Sequence, residues 1–284
     1  MKKSLIANII YGICAIVFEV LMVLIGIWFE NRDAAEPEGT SIALFGDSVI
    51  AYSQDETSVA SYLSNYTGLK VTDLSFGGTT MAYTAEDSTL ASDRNFLSMV
   101  SIALAYASDD FALPRNHDTF APATEYFKDR ERQVEALDLT NTDIVIIEHC
   151  LNDYHCAVPI GNYDDTSVYT YLGALNRTVE SIRKINPDIR IILVSPTEKW
   201  MPDGVNAADY DYGGGTLDEY VRVQREAASN LGVEYIYLYD LYNSVGYDYE
   251  GNEITGAEFT VDGTHPNVYG RELIAKTIAE YLAK

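Results

Sequence analysis

The chain has 284 residues, 43 of them acidic and 19 basic, for a formal net charge of −24. Such a surface repels phosphate backbones and no Lys/Arg cluster offsets it, so nucleic acid is excluded as a partner. A hydrophobic content of 47% excludes a disordered chain. Three cysteines (Cys14, Cys150, Cys156) exclude a disulfide-dense scaffold and a four-cysteine zinc site.

The first predicted element is a membrane helix. Lys2 and Lys3 precede an apolar stretch from Leu5 to Phe29, interrupted by Asn8 and Glu19. At ~1.5 Å per residue it is long enough to cross a ~30 Å hydrocarbon core. A cleaved signal peptide has a shorter apolar region and ends in small residues, whereas Asp33 spoils the best candidate site here. The expectation is an uncleaved signal anchor over 1–29, with secretion after cleavage as the alternative. Two lysines before the helix and only Arg32 just after it place the N-terminus in the cytoplasm and the rest outside. Residues 30–39 (ENRDAAEPEG) form a polar linker, and residues 40–284 suit one domain.

Along that domain a β-rich run at Ser41–Phe45 comes first, then a helical stretch at Ser58–Tyr66 and a second β-run at Lys70–Ser75. Helices follow at Phe96–Ala107 and Ala123–Leu137, inside or beside a long connection over 81–120, a length typical of lids and binding elements. Strand Asp143–His149, helix Tyr169–Ile185, strand Arg190–Ser195, helix Leu217–Leu231, strand Glu234–Tyr239 and helix Val268–Leu282 complete the order. DIVIIEH and RIILVSP are nearly continuous in apolar residues, as strands buried on both faces are. Strands alternating with helices predict right-handed βαβ units and a three-layer α/β/α sandwich around a five-stranded parallel sheet.

Ligands bind such sheets at the carboxyl ends of the strands. The residues there are Gly46-Asp47-Ser48, Gly77-Gly78-Thr79, Cys150-Leu151-Asn152-Asp153 and, ahead of the last helix, Asp262-Gly263-Thr264-His265. These are the parts of an acyl-transfer site. A serine hydroxyl needs a base, and His265 has a carboxylate three residues before it. Asp262 can hold the imidazole Nδ1 and leave Nε2 for Ser48. Backbone N–H groups of Ser48 and Gly78, with the Asn152 amide, are the candidate oxyanion donors. Each motif alone also marks an ordinary turn, but chance does not explain all four, in this order, at successive strand ends.

On these residues the sequence resembles the SGNH/GDSL hydrolase superfamily over residues 40–284. The resemblance implies Ser48 as nucleophile, Gly78 and Asn152 as the glycine and asparagine of the second and third blocks, and Asp262 and His265 as the last block. It implies a flavodoxin-like sandwich and acyl-group hydrolysis or transfer on lipids, sugars and small esters without a metal or organic cofactor. Val49 stands where the family name has Leu. Cys150 stands where the third block usually has Gly, which questions the aim of Asn152.

Asp47, Tyr154, Glu198 and Trp200 are the candidate substrate contacts. Tyr210 and Tyr212, ahead of Gly213–Gly215, suit either a sugar or a plain loop. Cys150 and Cys156 are either a disulfide bracing the Asn152 loop or two free thiols. His149-Cys150 with His155-Cys156 makes a poor zinc site, because adjacent residues leaving a strand point to opposite faces. The expected function is a membrane-anchored, outward-facing serine esterase acting on a glycan or small acyl ester. The alternatives are an O-acyltransferase with the same site and an inactive glycan- or partner-binding domain.

Overall fold

The strand β1 (Ser41–Gly46) lies inside a parallel sheet with β2 (Lys70–Asp73) on one side and β3 (Ile144–Glu148) on the other. Strands β4 (Arg190–Val194) and β5 (Glu234–Ile236) extend it, giving the order β2-β1-β3-β4-β5. This computed structural model describes residues 39–84, 95–112, 114, 125–201, 206–208 and 210–284, without the side chains of 125–128. The apolar run, most of the linker and much of the 81–120 connection lie outside the described residues. Among the described residues no helix is long and apolar enough to cross a membrane.

Burial explains the strand sequences. Every residue of β3 is buried, and all but the first of β1, whereas the edge strands β2 and β5 are only partly covered. Each strand of this sheet matches an expected β-run, β1 reaching one residue past its run, and the last residues of the other runs already leave the ladder for the carboxyl edge. Leu74 and Phe76 still donate to the carbonyls of Leu44 and Gly46 past the end of β2.

The helices are α1 (Ser48–Ala51), α2 (Val59–Thr67), α3 (Met99–Ser108), α4 (Glu125–Ala136), α5 (Leu151–His155), α6 (Tyr171–Ile185), α7 (Leu217–Leu231) and α8 (Val268–Leu282). The longer ones sit where hydrophobic period and caps put them. Thr216 and Glu219 close a capping box on α7, and Gly232 ends it in a left-handed conformation. α2 packs on α8, while α3 packs on α6 and α6 on α7. Right-handed crossovers put those two groups on opposite faces of the sheet. The sequence patterns did not announce α1, α5 or the small hairpin β6 (Gly246–Tyr247) and β7 (Glu253–Ile254). Four or five residues are too few to display a helical period.

Crossovers leave β1 and β3 in opposite directions, so a crevice opens between their carboxyl ends. Ser48 and Asn152 follow those two ends.

Candidate active site

Ser48 opens α1 directly after β1. Asp47 caps that helix, its Oδ1 accepting from the Val49 amide at 2.8 Å. As the first helical residue, Ser48 has an N–H with no acceptor inside the helix. On the opposite wall, Asp262 organises its own turn. Its Oδ1 accepts from the amides of Thr264 (3.0 Å) and His265 (2.8 Å), and its Oδ2 accepts from His265 Nδ1 at 2.7 Å. With Nδ1 donating to Asp262, Nε2 is left to accept, and it lies 3.0 Å from Ser48 Oγ. Burial pushes the Asp262 carboxyl up, but the His265 amide, its ring and the Thr264 amide outweigh this and hold it below the usual value.

The turn is held from outside. Gly263 has φ +83°, and a Cβ there would come within 2.4 Å of the Trp200 carbonyl oxygen. The Trp200 amide donates to the Gly263 carbonyl at 2.8 Å. Arg271 Nη1 donates to the Pro266 carbonyl at 2.9 Å, while its Nε donates to that of Thr57 at 2.7 Å.

Gly78, at φ +77°, faces open space, so its backbone is approachable from the crevice. Asn152 Nδ2 donates to the Thr79 carbonyl at 3.0 Å, which ties the asparagine to the Gly78 turn. Asp153 braces the same segment by accepting from the amides of Met81 (2.8 Å) and Ala82 (2.9 Å). Cys150, at φ −175° and ψ −43°, lies outside the left-handed region that favours glycine, and its side chain is buried in the core. A glycine is therefore not required to aim Asn152. No disulfide joins Cys150 to Cys156. His149 turns toward Thr79 Oγ1, while Cys150 lies against Tyr171, so their side chains diverge.

Behind the serine lie three buried carboxyls. Burial pushes Asp47 up to about 6, against the pull of the Val49 amide, His265 and Asn152. Burial pushes Asp153 up to about 7, and drives Glu148 well above the usual range, with the Asp47 charge adding to it. Both Glu148 carboxyl oxygens are buried without a hydrogen-bond partner, as suits a neutral acid. A neutral Glu148 at this position adds no negative charge behind Ser48.

The structure thus brings Ser48, Asp262 and His265 into one hydrogen-bonded chain and joins Gly78 to Asn152 through Thr79. The expected substrate contacts are placed otherwise. Asp47 is wholly buried as a helix cap. Tyr154 is also wholly buried, its hydroxyl donating to the carbonyls of Ala207 and Tyr210. Glu198 is buried and accepts from Asn206 Nδ2 at 2.8 Å. Trp200 packs against Tyr242 and Gly256 as it holds the Asp262 turn. Tyr154 and Glu198 were expected at the rim, but they and Asp47 are packed inward, whereas Trp200 is half-buried. Exposed aromatics at the carboxyl edge include Tyr210, Tyr212 and Tyr52. Tyr52 is stacked on the His265 ring, with centroids 4.9 Å apart and planes 20° apart. It was not read from the sequence because α1, which carries the chain from Ser48 to it, was not. Lys199 Nζ, which donates to His155 Nε2 at 2.7 Å, was missed too. A hollow of about 800 Å³ beside α2 and β2, lined by residues such as Gln54, Val71 and Arg130, is not lined by Ser48, Asp262 or His265.

A family model for GDSL-like lipases and acylhydrolases matches residues 44–273. The chain belongs to that family. This GDSL-type chain is accordingly a carboxylic ester hydrolase by family. Solved structures share its fold: a protein from Lactobacillus plantarum has a TM-score of 0.58 at 17% identity, covering 87% of this chain and 98% of its own. A possible lipase from Chitinophaga pinensis has 0.56 at 18%, covering 85% and 96%. A protein from Bacteroides ovatus, assigned as a GDSL-like lipase, has 0.52 at 13%, covering 86% and 98%. A search of curated proteins gives no match.

Proposed function

We propose that this GDSL-family chain is a membrane-anchored serine esterase whose catalytic domain lies outside the cytoplasm and removes an acyl group from a glycan or small ester. The observation that carries the reading is the chain Ser48 Oγ–His265 Nε2 at 3.0 Å and His265 Nδ1–Asp262 Oδ2 at 2.7 Å. His265 takes the Ser48 proton as Oγ bonds to the ester carbonyl carbon, and Asp262 stabilises the imidazolium. The N–H groups of Ser48 and Gly78, with an Asn152 Nδ2 hydrogen, receive the oxyanion. The intermediate collapses by breaking the bond to the alcohol, which leaves with the proton from His265. Water, deprotonated by His265, then splits the Ser48 acyl ester and restores the serine. The apolar run behind Lys2 and Lys3 supports the anchor and its cytoplasmic N-terminus.

A fluorophosphonate probe tests the chemistry. Labelling of the full chain at Ser48, abolished by Ser48→Ala and by His265→Ala, is the expected result. Hydrolysis of a short-chain aryl ester should fall about 10⁴-fold or more in Ser48→Ala. Unlabelled, folded protein would favour the binding-domain alternative.

A further inference from the structure

The chain enters and leaves β1 on opposite sides of the molecule. Ser41 begins the strand at the amino edge of the sheet, pinned there by Asp143 Oδ2, which accepts from its amide at 2.8 Å and its hydroxyl at 2.9 Å. Ser48 follows the other end, at the carboxyl edge, and Asn152 and His265 converge on that same edge. The apolar run ends at Phe29, so about a dozen residues separate the end of the run from β1. Fully extended they reach at most about 40 Å, and a flexible segment of that length spans about 20 Å on average.

To lay the catalytic edge on the bilayer, this linker would have to climb the sheet. That is about 20 Å for a strand of β1's length, at ~3.3 Å per residue. It would also have to clear the flanking layer, another ~10 Å before side chains are counted. That path of about 30 Å takes most of the ~40 Å available at full extension and exceeds the ~20 Å that a segment of this length spans on average. A net charge of −24 further repels the domain from anionic lipid. The carboxyl edge meanwhile exposes Tyr52, Tyr210 and Tyr212, aromatic faces with hydroxyl tips.

We propose that the catalytic edge is held facing away from the bilayer, so that the substrate is an acyl ester on a glycan beyond the lipid headgroups and not a lipid of the anchoring membrane. This rests on the signal-anchor reading. Energy transfer in vesicles tests it. The full chain, carrying azidophenylalanine in place of Tyr212 at the catalytic edge or of Asp188 at the amino edge, is coupled to a donor dye and reconstituted with acceptor-labelled lipid. Transfer from position 212 should be at least about twofold weaker than from position 188. A flexible insertion of about 30 residues after Glu38 should shrink that difference. Equal transfer from the two positions, or stronger transfer from 212, overturns the proposal. A chain that fails to float with the vesicles overturns it together with the anchor. Failure of the esterase reading shows separately, as absent fluorophosphonate labelling at Ser48.

Discussion

Around His265 each neighbour has a distinct task. Asp262 and Ser48 take the two ring nitrogens, and Tyr52 stacks on the ring face; in the proposed mechanism that stack fixes the ring plane and its π face stabilises the imidazolium. Stacking of this kind contributes about 0.5–1.5 kcal/mol, so Tyr52→Ala should lower kcat/KM about 2- to 12-fold. Tyr52→Phe should retain activity, because the ring and not the hydroxyl makes the contact; steady-state kinetics on an aryl ester decide this. In the proposed mechanism Asn152 serves the oxyanion. Asn152→Ala should lower kcat about 10²- to 10³-fold with little change in KM, the pattern of a group that bonds the transition state.

At the scale of elements, the Asp262–His265 turn is a separate piece fastened to the sheet domain by Trp200 and Arg271. Gly263 is where the fastening is tightest. Gly263→Ala meets both a positive φ and the Trp200 carbonyl, and should cost about 2–4 kcal/mol and most of the activity. Gly251→Ala, at φ +85° with nothing within 4 Å, should cost only about 1–2 kcal/mol and leave turnover intact. Urea unfolding and initial rates on the two variants separate these effects. The Cys150 position carries a related lesson. Its φ lies outside the left-handed region, so a thiol can stand where the family has glycine, and the side chain goes into the core beside Tyr171 of α6, not into the crevice.

Over the whole molecule, the buried acids behind the site tie stability to pH. Asp47, Glu148 and Asp153 have folded pKa values above their unfolded ones, so the folded state binds more protons and stability falls as pH rises through that window. For Asp47 the window runs from 3.8 to about 6, and for Asp153 from 3.8 to about 7. His149, pushed down to about 3 by burial, works in the opposite sense as pH falls. Comparing Glu148→Gln with the parent cancels the His149 effect. The variant should therefore lose less Tm between about pH 5 and about pH 8 than the parent does. Melting curves that stay parallel across that range would show that Glu148 is already ionised.

The α/β alternation, the five strands and the motif residues Ser48, Gly78, Asn152, Asp262 and His265 were legible in the sequence, because hydrophobic period and caps act locally. The family followed from those same residues. What only the tertiary structure decided is which way side chains face once the layers close. Tyr154 and Glu198 follow strand ends as Asn152 does, yet packing turned them into the interior, while the unremarked Tyr52 came to lie on His265. The raised carboxyls behind Ser48 are of the same kind: only burial, which depends on every layer at once, separates Glu148 and Asp153 from the many solvated carboxylates of an acidic chain.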